Sequence, residues 1–166
     1  FEPTPRDVVR IATSPLLVVN GAGLESWLQR TLTNTSRAIL VVDASSGLTP
    51  RTPSRAEHVD DPIDPHFWLD PILVKTYAAN IYNGLVQLDP AGAQTYQANL
   101  TAYQAQLDAL DTWIRGQVSQ VPPERRLLIT NHESSGYFAD RYGFTVVGTI
   151  IPSVSTDAMP TARQLA

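Results

Sequence analysis

Two histidines carry the chemistry this sequence could do. His66 lies between two Asp-Pro corners in Asp64-Pro65-His66-Phe67-Trp68-Leu69-Asp70-Pro71, and His132 follows much later in Thr130-Asn131-His132-Glu133. The chain holds only 3 histidines and no cysteine, and two of the three stand just before apparent helix starts. Such placement can aim two imidazoles at one divalent metal. Neutral imidazole suits Zn²⁺, and imidazole mixed with carboxylates suits Mn²⁺. The two prolines stiffen the backbone around His66, because proline fixes its own φ and holds the preceding residue extended. A ligand fixed in advance loses less entropy on binding. Simpler roles stay open at this point. His66 could bond a backbone carbonyl beside a helix cap, and His132 could sit in a first helical turn with Asn131 as cap. Glu133 either complements a helix dipole or joins the site. His58, in an acidic loop, is either exposed or a low-affinity metal contact.

Other chemistry is poorly supported. Without cysteine there are no disulfides, thiolate metal sites or cysteine nucleophiles. Gly21-Ala22-Gly23 is followed by Ser26 where a dinucleotide-binding fingerprint needs its third glycine. Walker A, His-Glu-x-x-His and Gly-x-Ser-x-Gly patterns are absent. No catalytic residue is assigned; a catalytic zinc usually has three protein ligands and an open position, and two candidate ligands settle nothing either way. A formal charge of −4 with no basic stripe argues against nucleic acid as a partner. No apolar run reaches the length of a membrane span. At 43% hydrophobic and 17% charged residues the chain reads as globular.

The elements that must position the histidines are legible. Thr4-Pro5-Arg6-Asp7 predicts a helix start with Thr4 as N-cap, running to about Thr13. Leu16–Val19 and Ala38–Val42 read as buried parallel strands. Between them, Leu24, Trp27, Leu28 and Leu32 mark a helix face. Residues 43–63 form a polar loop. From Glu57 to Asp70 there are five carboxylates and no Lys or Arg, either a solvated loop or a rim that concentrates cations. Asp70-Pro71 begins a helix to about Gln87. Asp89-Pro90 begins another, in which Tyr96, Leu100, Tyr103, Leu107, Leu110, Ile114 and Val118 recur at helical steps. That periodicity predicts about 30 residues, or ~45 Å. Leu127–Thr130 then reads as a strand, His132–Tyr142 as a helix with Gly143 as its C′ residue, Phe144–Ile151 as a strand, and Thr161–Ala166 as the opening of a further helix. The fold class is α/β: two small parallel-sheet lobes joined by one long helix. The domains are 1–89 for the first lobe, 90–120 for the linking helix and 121–166 for the start of the second lobe.

Several motifs taken in order now resemble one family. They are Phe1-Glu2-Pro3-Thr4-Pro5-Arg6-Asp7-Val8, Asn20-Gly21-Ala22-Gly23-Leu24-Glu25, the Asp64–Pro71 segment, Thr130–Glu133, Gly136-Tyr137-Phe138-Ala139-Asp140-Arg141-Tyr142-Gly143, and Ile151-Pro152-Ser153-Val154-Ser155-Thr156. Together they are similar to the zinc- and manganese-type solute-binding proteins of bacterial ABC importers. The resemblance implies two α/β lobes joined by a long helix, with a metal held by four ligands. His66 and His132 match two of those ligands. Histidine at the second position leans toward Zn²⁺, glutamate toward Mn²⁺. The resemblance further implies an extracytoplasmic receptor, periplasmic or lipid-anchored, that hands its metal to an ABC permease transmembrane subunit.

The sequence departs from that family at both ends. The first family ligand lies before the segment matched by Phe1-Glu2-Pro3, and the last lies beyond the position of Ala166. The remaining ligands are thus expected outside residues 1–166, with both lobes incomplete. Uncovered sheet edges and helix faces then imply self-association or missing chain segments. Two other functions are weighed: a metal-dependent hydrolase, which would leave one coordination position open, and a cell-adhesion module with a vestigial metal site.

Overall fold

The computed structural model describes residues 3–28, 38–51 and 63–151. The chain forms two compact units, Phe1–Gly47 with Lys75–Ala105, and Leu48–Val74 with Gln106–Ala166. Of the three boundaries, one falls just after the turn that follows residue 43 and two fall inside helices.

In the first unit, helix α1 spans Pro5–Thr13. Thr4 is its N-cap, and a full capping box forms: the Thr4 N–H donates to Asp7 Oδ2 at 3.0 Å while Thr4 Oγ1 accepts from the Asp7 N–H. Strands β1 (Leu16–Val19) and β2 (Leu40–Asp43) pair in parallel, with Leu16 opposite Leu40 and Val19 opposite Asp43. The chain leaves β1 through a turn in which Gly21 and Gly23 have φ of 86° and 84°. Glu25 ties that turn down, its two carboxylate oxygens accepting from the N–H groups of Asn20 (2.8 Å) and Gly21 (3.2 Å). Residues 22–27 stay in turn conformation, where the sequence suggested a helix opening. The remainder of that expected helix, 29–37, lies outside the described residues.

Helix α2 runs Pro71–Leu88, within a residue of expectation. It meets β2 at Gly84, where any Cβ would overlap the Val42 side chain. Asn80 closes the turn after β2 by donating to the carbonyls of Ala44 and Ser46, each at 2.9 Å. Buried Leu28, Val42 and Ala44 form the core here.

Helix α3, Ala93–Val118, has 26 residues, or ~39 Å at 1.5 Å per residue. It is shorter than predicted because Pro90–Gly92 winds as a separate 3₁₀ turn. Asp89 gives that turn no side-chain cap and instead accepts from the Tyr96 hydroxyl at 2.8 Å. Of the predicted apolar stripe, Leu107 and Val118 are buried, whereas Tyr103 and Leu110 are exposed.

In the second unit, β3 (Leu127–His132) and β4 (Thr145–Ile151) form a second parallel pair. Helix α4, Gly136–Tyr142, connects them and ends at Gly143 with φ of 73°, the predicted left-handed stop. The helix does not begin at His132. The ladder to β4 continues through Thr130 opposite Thr149 and His132 opposite Ile151. Those pairings hold Asn131 and His132 extended, and the chain turns at Glu133 and Ser134 before helix begins. Among the described residues the two sheets hold two strands each, with the long helix between them in sequence.

Candidate metal centre

His66 and His132 both belong to the second unit and meet there. Their Nε2 atoms lie 3.4 Å apart, with ring centroids 5.2 Å apart and planes tilted by 59°. The backbone explains how each arrives. His132 ends β3 on the half-buried side of the strand alternation, with Leu128 and Thr130. Its carbonyl accepts from the Thr130 hydroxyl and the Ser134 N–H, both at 2.9 Å, which fixes the strand end. His66 sits at the N-cap of a 3₁₀ turn, Phe67–Leu69, but its side chain makes no cap bond. The imidazole is therefore available to face His132.

Asp64 decides how the His66 ring presents itself. One oxygen of its carboxylate, Oδ1, accepts from the His66 N–H at 3.0 Å and lies 2.8 Å from His66 Nδ1. Asp64 and His66 are only 3% and 5% exposed, so this contact is made away from water. A carboxylate accepts and does not donate, so Nδ1 carries the proton. The Nε2 edge of the ring then faces His132. Orienting a histidine by a carboxylate on its far nitrogen is how metal-ligand imidazoles are commonly fixed. The backbone-carbonyl partner considered for His66 is thus replaced by a carboxylate.

A packed support stands behind this pair. Phe67, 1% exposed, stacks at 4.7 Å against the Tyr137 ring. The Tyr137 hydroxyl donates to the Asp64 carbonyl at 2.8 Å and accepts from the Arg51 N–H at 2.9 Å. Burial, the largest cause, raises the Tyr137 pKa above its ordinary 10.0, so the hydroxyl remains a donor. Trp68 lies against the His66 ring at 5.0 Å. Burial chiefly, and then the proximity of His66, lowers the His132 pKa from its ordinary 6.5, with Asp64 opposing. Both effects favour the deprotonated ring that a metal needs.

Glu133 lies in the turn after β3, not in a helix, and its Oε2 is buried without a hydrogen-bond partner. No group of three or more His, Cys, Asp or Glu side chains converges into a metal cluster among the described residues. His58 and the motif from Pro152 onward lie outside the described residues. Among the described residues no helix is long and apolar enough to cross a membrane.

A family model described as "zinc-uptake complex component A periplasmic", ZnuA, matches residues 1–166. The chain belongs to this family. Within reach of the ZnuA family, the manganese-binding lipoprotein MntA of Halalkalibacterium halodurans is 39% identical over 148 residues, 89% of this chain and 48% of that protein. The iron-binding protein YfeA of Yersinia pestis is 35% identical over 147 residues, 89% of this chain and 47% of its own length. The solved structure of the periplasmic zinc-binding protein TroA of Treponema pallidum superposes with a TM-score of 0.85 at 32% identity, covering 99% of this chain and 58% of that chain. The chain spans about half the length of the curated relatives it matches. The metals in these names differ, so membership in the ZnuA family defines a metal-binding class without choosing the metal.

Asp64 is the residue that sequence reasoning undervalued. It was legible as a corner and as one of several acids, but its contact with the ring was not anticipated. The available signal was its spacing, a carboxylate two residues before the histidine.

Proposed function

We propose that this chain is the central part of an extracytoplasmic receptor that binds a divalent transition metal, Zn²⁺ in preference to Mn²⁺, and delivers it to an ABC permease. His66 and His132 are two of its ligands, and the others are contributed from outside residues 1–166. The receptor performs no covalent chemistry.

The observation that carries this reading is the 3.4 Å between the two Nε2 atoms. Two histidines on one tetrahedral zinc, with Zn–N bonds of about 2.05 Å, place their nitrogens about 3.3 Å apart. The same bonds at a right angle would place them about 2.9 Å apart. With Nδ1 of His66 engaged by Asp64, the two Nε2 atoms face each other at a distance that a shared cation or an N–H···N hydrogen bond satisfies. The relatives support transport, since the family description names a periplasmic uptake component and MntA is named a lipoprotein.

Calorimetric titration of the full-length protein tests this. His66→Ala and His132→Ala are each expected to weaken zinc binding by orders of magnitude, while His58→Ala changes little. Wild-type affinity in both ligand variants would remove the assignment.

A further inference from the structure

Arg51 lies apart from the two imidazole nitrogens, yet the second unit is built to hold its guanidinium in one place. Nε donates to Asp140 Oδ2 at 2.6 Å and Nη2 to Asp140 Oδ1 at 3.3 Å, a two-pronged pairing. Nη1 reaches Asp64 Oδ2 at 3.4 Å. The guanidinium carbon lies 5.6 Å from the centre of the Tyr137 ring. Arg51 and Asp64 are also joined through the main chain, the Asp64 N–H donating to the Arg51 carbonyl at 3.0 Å. A Cβ added at Gly136, the first residue of α4, would overlap Nη1 and lie 3.1 Å from Asp64 Oδ2. Each of these contacts bears on the carboxylate that holds the His66 ring.

We infer that Arg51, anchored by Asp140 and seated over Gly136, is a positioning residue for metal capture that acts through Asp64 on the His66 imidazole. The division of labour on Asp64 supports this. Oδ1 serves the histidine and Oδ2 serves the arginine. Rotation of the carboxylate would break both contacts. Because Asp140 is on α4, just beyond the strand and turn that carry His132, the same helix ties the two imidazoles to one frame. The site then meets an arriving cation with its nitrogens already spaced, and the metal need not order them. Lysine could supply the charge but not the planar fork that joins two carboxylates.

This inference rests on the metal reading, and one experiment separates their failures. In the full-length protein, zinc affinity is measured by chelator competition for wild type, His66→Ala, Arg51→Ala, Arg51→Lys and Asp140→Ala. The His66 tautomer of the metal-free protein is read from long-range ¹H–¹⁵N NMR. Arg51→Ala is expected to weaken zinc binding about 10- to 100-fold, the usual cost of losing outer support of a ligand, and to mix the two His66 tautomers. Arg51→Lys should restore part of both. Asp140→Ala should cause a smaller loss in the same direction. Its carboxylate is 63% exposed, so the fold should survive even if Arg51→Ala does not fold. Loss of binding in His66→Ala with wild-type affinity and a single tautomer in both Arg51→Ala and Asp140→Ala would overturn the role of Arg51 alone. Wild-type binding in His66→Ala would overturn the metal reading and this inference with it.

Discussion

The two Asp-Pro corners that flank His66 look alike in sequence and do different work. Asp64 and Asp70 are both buried, at 3% and 7% exposure, and each meets an arginine. Asp64 turns its carboxylate onto an imidazole. Asp70 turns its own onto the backbone: Oδ1 accepts from the Ile72 N–H at 2.8 Å, in the first turn of α2, and lies 3.1 Å from Arg141 Nε. Arg141 also donates to Asp111 Oδ1 in α3 at 2.8 Å. One corner aims a ligand, while the other fastens a loop to two helices. Adjacent residues of α4 serve the two ends, with Asp140 anchoring Arg51 and Arg141 reaching Asp70. A short helix thereby fixes both flanks of the histidine loop.

The sharpest way to break the comparison is to remove each carboxylate in the full-length protein. Asp64→Ala frees the His66 ring, and zinc affinity should fall by up to about 100-fold. Asp70→Ala should leave affinity close to wild type but cost about 2 kcal/mol of stability, because a half-buried arginine loses one of its two carboxylate partners and a helix start loses its acceptor. Denaturant unfolding and calorimetric zinc titration on both variants check this. If Asp70→Ala loses affinity as severely as Asp64→Ala, the two corners share one role.

Acid should act on the Asp70 side. Asp111 receives Arg141, Arg115 at 3.0 Å and the Tyr142 hydroxyl at 3.0 Å. Its carboxyl is held at about 2, against the ordinary 3.8, chiefly by the Arg141 hydrogen bond. A depressed carboxyl stabilises the fold fully above its unfolded value and loses that contribution as pH falls through the folded one. The stability difference between wild type and Asp111→Asn should therefore be constant above about pH 4 and shrink toward pH 2. Urea unfolding across that range measures it. A difference that does not change with pH would show that Asp111 contributes through shape and not charge. At the alkaline end, burial foremost and then Asp111 raise Tyr142 to about 12, so the folded state resists its ionisation.

How much of this was legible in the sequence depends on how far apart the interacting residues lie. The capping box joins Thr4 and Asp7, only three positions apart, and could be read directly. The β3–β4 pair follows from apolar runs separated by a helix, and Gly143 from its place after that helix. Convergence of His66 and His132 came from placing His132 after a strand and from resemblance, not from periodicity. The start of α4 was misplaced because β3 extends through pairing with β4, a partner that lies beyond the helix in sequence. The register also slips between Leu128 and Ile129, and no local pattern marks that. Arg51 was invisible for the same reason: its partners Tyr137 and Asp140 lie 86 and 89 residues away. Local chemistry could be read; the frame that aims it is built from distant pairs.

The smallest expected effect is also the most discriminating, and it concerns Gly136. Its φ is not among the positive values, so alanine is sterically allowed on the backbone. Replacing an exposed helical glycine by alanine stabilises by about 0.4–1 kcal/mol when nothing obstructs it. Here the new methyl enters space held by the Arg51 guanidinium. A flexible side-chain end can move aside, so the helix gain and the loss of the Arg51 contacts should nearly cancel, leaving stability within about 0.5 kcal/mol of wild type. Zinc affinity should nonetheless fall severalfold, because Arg51 displaced from Asp64 no longer holds the imidazole. Gly136→Ala touches the Asp64 corner and leaves Arg141, Asp70 and Asp111 in place. Denaturation and zinc titration on this one variant should therefore separate aiming from fastening. A variant that is more stable and binds zinc as wild type would show that the guanidinium fills space without guiding the ring.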